Sequence, residues 1–420
     1  MKMDELIQKI KQQCTYIDRV YWLLFGVLII VAVLALFSAS STLAFAGDNT
    51  LNPIMNQMFF IVVGVALAFA IQFMPRSWIR IGGYIGLIVS IVLLILTYTS
   101  MGVEINGAKR WLDLGPIRFQ PSELAKLTLL IVVSDLLSQI KNAEDEKKYF
   151  FIVVAITGVV CMLIFFNNLS TTLLLGGVVL IMFFLARVKF KYWGTLLGIV
   201  LLLLTGGYFI VKKAYIEPGR KIEAQLLKRV VTWVNRVDNT VEEWKSPADQ
   251  KYSLEDDYQR TIAKVAIAHG GASPFGVLPG NSTERNFLPQ AFADYIFAII
   301  VEESGIVGAL FLMFIYLAIL FRSCLISSKY AEYSAMLMVM GLALMLTCQA
   351  LVSMMVSVGI GPVTGQPLPM ISRGGTSALV TSLYFGILMC VSREQKELQE
   401  RQLSSIVASE EDVPDIQIDN

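Results

Sequence analysis

One carboxylate along the chain has surroundings that suit catalysis. Asp294 lies in the apolar run Phe287-Leu-Pro-Gln-Ala-Phe-Ala-Asp294-Tyr-Ile-Phe-Ala298, at the predicted outer mouth of a membrane helix. A helix N-terminus favours the ionised carboxylate, whereas aromatic surroundings favour its protonated form, and such opposed influences suit a general base. The same position is typical of a helix N-cap, and the spacing alone leaves both interpretations open.

Two further acids follow on the same predicted helix. Glu302 and Glu303 lie eight and nine residues beyond Asp294, about 12 to 13 Å deeper at the helical rise of 1.5 Å per residue. At that distance they cannot act on the same substrate atom as Asp294. Because acids are costly inside a membrane segment, we expect them to pair with a base or to line a polar cavity, in a structural role.

A second polar group precedes and opens the fourth predicted helix. Glu123 and Lys126 stand three residues apart on one helix face, where they can pair with each other or serve an anionic ligand. Basic, polar and aromatic residues cluster just before the helix, namely Lys109, Arg110, Trp111, Arg118 and Gln120. Guanidinium groups among aromatic residues at a membrane interface suit an anionic headgroup, particularly a phosphate.

Arg373 is a third candidate for anion binding. It lies in Gly359-Ile-Gly-Pro-Val-Thr-Gly-Gln-Pro-Leu-Pro-Met-Ile-Ser-Arg373-Gly-Gly-Thr-Ser377, which has too many Gly and Pro residues for a continuous helix. Irregular backbone at membrane depth must line a cavity or be covered by protein. Beside two glycines, Arg373 can present both its guanidinium and backbone N–H groups to an anion.

The elements that must position these residues are membrane helices. Of 420 residues, 55% are apolar and 16% are charged, and the mean hydropathy is +0.64, which excludes a water-soluble globular protein. The 34 Lys and Arg residues nearly balance 33 acids, so the chain lacks the charge footprint of a nucleic-acid-binding protein. A single histidine, His269, excludes the usual histidine-ligated zinc site, and five cysteines in apolar or cytoplasmic segments predict no disulfide framework.

Charge-free stretches of spanning length predict an all-α integral membrane protein with ten transmembrane helices. The predicted helices are Val20 to Leu43, Ile54 to Met74, Ile81 to Met101, Pro121 to Gln139, Tyr149 to Phe166, Thr171 to Ala186, Tyr192 to Val211, Asp294 to Phe321, Tyr333 to Val356 and Thr376 to Ser392. A polar turn at Asn167 and Asn168 separates the fifth helix from the sixth, because their combined apolar run is too long for one span.

Lys and Arg residues occupy alternate short loops, which predicts that both termini are cytoplasmic. We expect a cytoplasmic amphipathic segment at residues 1–19, a membrane domain at residues 20–392 and a cytoplasmic, acidic, disordered tail at residues 393–420. Between helices seven and eight, residues 212–289 form a large outer loop, long enough to be functional.

Helical spacing within this large loop predicts a basic amphipathic helix from about Ile222 to Val237. An acidic stretch from Asn239 to Asp257 predicts a flexible excursion. A second, short helix is expected from about Tyr258 to the Gly270-Gly271 pair.

Five segments, in the same order along nearly the whole chain, resemble the SEDS family (shape, elongation, division and sporulation), whose members include FtsW, RodA and SpoVE. They are Asn106-Gly-Ala-Lys-Arg-Trp111, Arg118-Phe-Gln-Pro-Ser-Glu-Leu-Ala-Lys126, Phe287 to Ala298, Glu302-Glu-Ser-Gly305 and Thr364 to Ser377. The Thr364-Gly-Gln-Pro-Leu-Pro stretch is more similar to the FtsW branch. Gln290, Ala293 and Arg373 depart from residues that are frequent in the family.

The resemblance implies an inverting peptidoglycan glycosyltransferase in the bacterial cytoplasmic membrane. Such an enzyme polymerises lipid II on the outer face of the membrane during cell division or elongation. Its implied partners are a class B penicillin-binding protein and other divisome or elongasome proteins, and no nucleic acid.

The same resemblance assigns roles to individual residues. The essential loop aspartate of the family falls on Asp294, which would act as the general base. The residues expected to bind substrate are Lys109, Arg110, Arg118, Gln120, Glu123, Lys126 and Arg373. Arg110, Arg118, Lys126 and Arg373 would hold the pyrophosphates, with a divalent cation such as Mg²⁺ or Mn²⁺ as the expected cofactor and no organic cofactor.

Two other functions stay open on the sequence alone. A flippase or other transporter of a lipid-linked precursor would line its path with Glu123, Lys126, Glu302 and Glu303. A non-catalytic scaffold for division proteins would need no catalytic carboxylate. The polar residues concentrate on the predicted outer face, whereas a flippase needs headgroup sites on both sides, and this favours the glycosyltransferase.

Overall fold

A computed structural model describes residues 15–45, 51–105, 108–113, 115, 118–216, 225–245, 258–279, 281–284, 287, 295–329, 332–362 and 364–411. These residues form α-helices and one small sheet. The helices are α1 (Arg19–Phe45), α2 (Leu51–Ile71), α3 (Arg76–Leu96), α4 (Pro121–Ser138), α5 (Ala143–Phe165), α6 (Leu169–Leu185), α7 (Phe190–Val211), α8 (Gln225–Lys245), α9 (Tyr258–Gly271), α10 (Ile296–Ser327), α11 (Tyr333–Ser357) and α12 (Gly375–Glu411). A π-helical turn, Lys212–Ile216, continues α7.

Eight of the described helices are long and apolar enough to cross a membrane, namely α1, α2, α3, α5, α7, α10, α11 and α12. The other two helices that the sequence predicts as spanning are also present. Helix α6 is apolar but has 17 residues, and α4 has 18 residues, among them Glu123, Lys126 and Asp135. At 1.5 Å per residue these helices are roughly 27 Å long, just short of a hydrocarbon core about 30 Å thick.

Helices α4, α11 and α12 form the centre of the bundle. Nearly every side chain of α4 from Pro121 to Leu137 is buried. Within the apolar part of each helix, 67% of α11 residues and 83% of α12 residues are buried, whereas only 6% of α7 residues are. The polar residues of α4 therefore lie inside protein, and α7 lies at the edge of the bundle.

The turn between α5 and α6 falls where the sequence predicts it. Asn168 is the N-cap of α6, and its Oδ1 accepts a hydrogen bond from the backbone N–H of Thr171 at 3.1 Å. Gln366 donates from Nε2 to Thr171 Oγ1 at 2.5 Å and to Asn168 Oδ1 at 3.4 Å. The turn is thereby fixed to the irregular segment that precedes α12.

A three-stranded antiparallel sheet stands between α3 and α4, a correction to the all-α prediction. Its strands are β1 (Gly102–Ile105), β2 (Ala108–Asp113) and β3 (Arg118–Phe119), in the order β1-β2-β3. Ile105 pairs with Ala108, so only Asn and Gly connect β1 to β2, and this dipeptide is the preferred connection of tight hairpins. The sheet places Lys109, Arg110 and Arg118 on one rigid element next to the start of α4.

The large loop contains two helices, one longer than predicted. Helix α8 continues to Lys245, so residues 239–245 are helical rather than a flexible excursion. Contacts near its middle explain this extension: Asp238 accepts hydrogen bonds from Tyr208 and Lys212, and Trp233 packs edge-on against Phe165 with ring centroids 5.1 Å apart. Helix α9 begins at Tyr258 and ends at Gly271, as predicted.

Helix α10 is interrupted at Gly305, which has φ +65° and ψ −163°. The chain after α9 inserts at this break. The N–H of Val277 donates to the carbonyl of Glu302 at 2.9 Å, and the N–H of Val307 donates to the carbonyl of Pro274 at 3.2 Å. The inserted segment thus satisfies backbone groups that the broken helix cannot pair by itself, as a membrane interior requires.

Asp18 joins three helices at one end of the bundle. Its Oδ1 caps α1 by accepting from the N–H of Val20 at 3.0 Å. Its Oδ2 accepts from Arg322 of α10 at 2.7 Å and from Ser392 of α12 at 2.5 Å. Burial opposes the charged form, but the hydrogen bonds from Ser392 and Arg322 outweigh it and lower the pKa of Asp18 below its ordinary value.

The last helix is longer than the sequence predicts. Residues 393–411 continue α12 to Glu411, which corrects the expectation of a disordered tail from residue 393. Glu, Gln, Lys and Arg are strong helix formers, and Arg401 pairs with Glu397 one turn earlier at 2.7 Å. Residues 412–420 lie outside the described part of the chain.

Replacing Asp18 tests the junction of the three helices. Since the folded pKa of Asp18 is below the unfolded value of about 3.9, its stabilisation is complete above that pH and is lost as the pH falls through the folded pKa. We expect Asp18→Asn to destabilise the protein by about 1 to 3 kcal/mol at pH 7 and to make thermal stability less sensitive to acid. Equal melting temperatures for wild type and variant at pH 7 would contradict this, and Glu144→Gln, at an exposed acid of α5, is the control.

Replacing Gly305 tests the break in α10. A Cβ there would lie 2.4 Å from the N atom of Gly276 and 2.4 Å from the carbonyl O of Pro274, and the backbone region is nearly exclusive to glycine. We expect Gly305→Ala to destabilise the protein by about 3 kcal/mol, measured by thermal unfolding in detergent. Gly198→Ala, where a Cβ meets no atom within 4 Å, should leave the melting temperature unchanged or slightly raised.

Candidate active site

The centre of the candidate site is a buried ion pair. Lys126 is 0% exposed and Glu123 is 4% exposed, and Lys126 Nζ donates to Glu123 Oε1 at 2.8 Å. The same ammonium donates to Gln349 Oε1 of α11 at 2.6 Å. The two residues pair with each other, one of the two possibilities that their spacing leaves open, and the amide of Gln349 completes the arrangement.

Gln349 connects this pair to the irregular segment before α12. Its Nε2 donates to the carbonyl of Pro367 at 3.0 Å, two residues beyond Gly365, whose φ is +62°. Two further bonds fix the segment: Tyr316 donates to the carbonyl of Pro369 at 2.6 Å, and the N–H of Leu368 donates to Ser372 Oγ at 2.8 Å. The chain next to Arg373 is therefore held by buried hydrogen bonds.

Arg373 and Arg118 stand at the same end of the bundle. Thr376, three residues after Arg373, donates to the carbonyl of Arg118 at 3.5 Å. The Arg118 side chain is exposed, and Arg373 is partly buried. Burial lowers the pKa of the Arg373 guanidinium, yet an arginine remains protonated at neutral pH. The structure thus places two permanent positive charges near the start of α4. The surface around Lys109, Arg110, Arg118 and Arg373 is called the mouth.

Arg110 and Lys109 lie on the adjoining side of this mouth. Arg110 donates from Nε at 2.7 Å to the carbonyl of Asn167, in the turn between α5 and α6. Lys109 and Arg110 line a small cavity of about 10 Å³ together with Asn167, Asn168 and Ser122, enough for about one water molecule. Because Ser122 lies in the first turn of α4, this cavity is beside the start of that helix.

Gln120 contacts the start of α4. Three residues that the sequence did not predict as part of the site, Arg229, Gln349 and Gln366, contact the same end of the bundle. Gln120 is buried and donates to Ser122 Oγ at 3.1 Å. Arg229 of α8 donates to the carbonyl of Phe166 at 2.6 Å and to Asn167 Oδ1 at 3.1 Å. Each of the missed residues has a signal in the sequence. Arg229 is a basic position in an amphipathic helix, Gln349 is a glutamine inside a spanning helix, and Gln366 is a glutamine in a Gly- and Pro-rich segment.

The predicted base, Asp294, lies outside the described residues. The structure describes its neighbour Tyr295, which is 1% exposed and is the N-cap residue of α10. Asp294 is thus the residue before the N-cap of this helix.

Glu302 and Glu303 have separate environments. Glu302 is 0% exposed and accepts hydrogen bonds from Ser282 and from the N–H of Thr283 at 3.1 Å, and His269 Nδ1 lies 3.4 Å away. Glu303 accepts from Ser38 of α1 and lines a cavity of about 530 Å³ between α1 and α10. Neither carboxylate bonds to the Glu123 and Lys126 pair.

The described residues offer no preformed metal centre. No group of three or more His, Cys, Asp or Glu side chains within the described ranges is placed to hold a metal ion. Glu123, a carboxylate at the start of α4, is paired with Lys126. A divalent cation at this site stays a prediction.

Comparison with known proteins identifies the family. The family model FTSW_RODA_SPOVE, described as cell cycle protein, matches residues 18–397, which are 380 of the 420 residues. The chain belongs to this family.

Individual relatives share this length and fold. The protein of Marinobacter nauticus named "Probable peptidoglycan glycosyltransferase FtsW" is 29% identical over 380 residues, 88% of each chain. "Peptidoglycan glycosyltransferase MrdB" of Escherichia coli is 26% identical over 383 residues, 91% of this chain and 95% of that one. A solved structure titled "Structural coordination of polymerization and crosslinking by a peptidoglycan synthase complex" matches with a TM-score of 0.69 and 26% identity, over 90% of this chain and 98% of that one.

Replacing Lys126 tests the buried pair. In Lys126→Met, Glu123 keeps its charge without a cationic partner, and we expect a loss of roughly 3 to 5 kcal/mol in stability. Replacing both residues, as Glu123→Gln with Lys126→Met, removes the buried charges together and should recover a large part of that loss. Thermal unfolding in detergent measures both effects, and a double variant as unstable as the sum of the single variants would contradict a direct pair.

Proposed function

We propose that this chain is a peptidoglycan glycosyltransferase that polymerises lipid II, an undecaprenyl-pyrophosphate-linked disaccharide peptide, into glycan strands outside the cytoplasmic membrane. The observation that carries the proposal is the family match over 380 of 420 residues, together with relatives named for this activity. One of these relatives is named FtsW and the other MrdB. We therefore propose a polymerisation step that serves division or elongation.

The chemistry requires one base and no protein acid. A sugar hydroxyl attacks the anomeric carbon, a new C–O bond forms, and the bond to the polyprenyl pyrophosphate breaks. The hydroxyl proton must be accepted, whereas the departing pyrophosphate is a stable anion that needs no proton. A glycosidase, by contrast, needs a second carboxyl group as its acid. We assign the base to Asp294, with inversion from an α-linked donor to a β-linked product.

The basic residues around the mouth can bind the leaving group, the polyprenyl pyrophosphate. Lys109, Arg110, Arg118 and Arg373 come from two different segments and surround the end of α4. Guanidinium groups bind phosphate oxygens bidentately, and charges placed where negative charge develops lower the barrier to reaction. We propose that these four residues bind the pyrophosphates of the two lipid-linked substrates.

The buried pair has a supporting role in this arrangement. Lys126 is fully buried and already donates to Glu123 and Gln349, so it is not available to a substrate phosphate. Through Gln349 and Pro367 it holds the segment that leads to Arg373. We propose that Glu123, Lys126 and the buried Gln120 act by ordering the substrate mouth rather than by contact with lipid II.

The membrane arrangement follows from the same proposal. Helices α4 and α6 would cross the membrane together with the eight longer apolar helices, which gives ten spans. An even number of spans places both termini on one side, and the distribution of Lys and Arg residues assigns that side to the cytoplasm. Helices α8 and α9 then lie outside, next to the basic mouth.

A partner enzyme is part of the proposal. The structural match at a TM-score of 0.69 belongs to a complex whose title joins polymerization to crosslinking. We propose that this chain also works beside a transpeptidase, a class B penicillin-binding protein, and with further proteins of the division or elongation machinery.

Replacing Asp294 tests the function and the base together. We expect Asp294→Asn to lower the rate of glycan strand formation from purified lipid II by roughly 10² to 10⁴, the usual contribution of a general base. Binding of lipid II should remain, because the basic residues are intact. The measurement compares purified wild type and variant, each with and without the cognate transpeptidase.

Asp113→Asn is the matched control for this experiment. Asp113 is an exposed acid at the end of β2, and its loss should leave polymerisation within about twofold of wild type. Near wild-type polymerisation by Asp294→Asn would overturn the assignment of the base. A wild-type protein that moves lipid II across vesicle membranes without polymerising it would instead favour a flippase.

A further inference from the structure

The buried carboxylate of Glu302 accepts hydrogen bonds from residues 282–284. Ser282 donates its hydroxyl to Glu302 Oε2. Glu302 Oε1 accepts from the N–H of Thr283 at 3.1 Å, from the N–H of Glu284 at 3.4 Å and from Thr283 Oγ1 at 3.5 Å. Two backbone N–H groups and two hydroxyl groups thus point at one side chain, and hydrogen bonds to a charged acceptor are stronger than neutral ones.

Main-chain bonds join the same segment to the same stretch of α10. Val277 donates its N–H to the carbonyl of Glu302, and Gly276 lies against Gly305 so closely that neither position has room for a Cβ. Residues 276–284 are therefore bound at their start by the backbone of the helix break and at their end by the side chain of Glu302.

This arrangement closes a short loop onto one helix. Glu284 is held by Glu302, and Tyr295 is the N-cap residue of the helix that carries Glu302. Ten residues separate Glu284 from Tyr295, and the last of them is Asp294. Fixing both ends of a short chain segment reduces the number of conformations open to it. Glu302 thus anchors the residue from which the segment that ends in Asp294 begins.

We propose that Glu302 is a positioning residue for the base, an inference that rests on the proposed function. It acts by holding residues 282–284 so that the segment that ends in Asp294 starts from a fixed point. Glu302 itself does not touch the substrate, because it is fully buried and saturated with protein donors. A shift of about 1 Å in a catalytic group can cost a factor of about 100 in rate, so an anchor of this kind affects turnover more than binding.

Glu302→Gln tests this proposal. The glutamine keeps the size of the side chain, but its amide nitrogen cannot accept a hydrogen bond as the second carboxylate oxygen does, and the charge is lost. We expect kcat for lipid II polymerisation to fall by about tenfold or more, while KM changes by less than about threefold. Hydrogen exchange at the amides of Thr283 and Glu284, both donors to Glu302, should become faster.

Glu303→Gln is the matched control, since Glu303 is the next residue, is also buried and bonds to Ser38 of α1 instead. Its kcat and its exchange at residues 283 and 284 should stay near wild type. Ser282→Ala is a second test variant that keeps the carboxylate and removes one donor. It should show a smaller change in the same direction, and it covers the case in which Glu302→Gln does not fold.

The outcomes separate this inference from the function on which it rests. Unchanged kcat in both Glu302→Gln and Ser282→Ala, or equal losses in Glu302→Gln and Glu303→Gln, would overturn the positioning role. A rise in KM with constant kcat would also overturn it. If the wild-type protein forms no glycan strands, the proposed function fails, and exchange rates at Thr283 and Glu284 still decide whether Glu302 holds this segment.

Discussion

The structure depends on keeping a lysine and a glutamate together where water cannot reach them. A charge inside a membrane bundle is tolerated only with a partner and with its remaining hydrogen-bonding capacity satisfied. Lys126 meets this condition with Glu123 from its own helix and Gln349 from a neighbouring one. The requirement brings α4 and α11 together at one depth, and the second half of the Gln349 amide then fixes Pro367. An electrostatic need in the core thus helps to fix the path of the irregular segment that precedes α12.

Backbone polarity imposes a second constraint, visible in α10. A helix broken inside the bundle exposes carbonyl and N–H groups that lipid cannot satisfy. Here Pro274 and Val277 supply the missing partners, and glycines at positions 276 and 305 let the two chains approach. The broken helix therefore requires a neighbouring segment at a fixed place. That segment is also the one that leads toward the predicted base, so local backbone chemistry and site geometry are linked.

Much of this architecture could be predicted from the pattern of apolar residues. The positions of the membrane helices, the turn at Asn168 and the end of α9 at its glycine pair follow from hydrophobic runs and local turn chemistry. The small sheet was missed because its strands are short and polar, although the Asn-Gly pair between Ile105 and Ala108 is a hairpin signal. The helical extension to Glu411 was missed because acidic composition predicts disorder, whereas the same residues have high helix propensity.

The site could be predicted in its residue types but not in its connections. Sequence spacing pairs Glu123 with Lys126, yet Gln349 lies more than two hundred residues away and nothing local predicts that contact. Arg110 was expected to bind a phosphate, and the structure shows in addition that its Nε donates to the turn between α5 and α6. Arg229 reaches the same turn from a distant amphipathic helix. Such contacts arise from helix packing, which periodicity does not encode.

The junction at Asp18 has a consequence for biosynthesis. Its partners Arg322 and Ser392 lie 304 and 374 residues further along the chain, so α1 leaves the ribosome well before the two helices that bond to this acid. Until then α1 must remain in the bilayer with this acid bound only to its own helix terminus or to solvent. Contacts between residues so far apart in sequence slow folding. Until they form, exposed apolar surfaces can associate with the wrong partners. This junction is completed only after α12 has been synthesised.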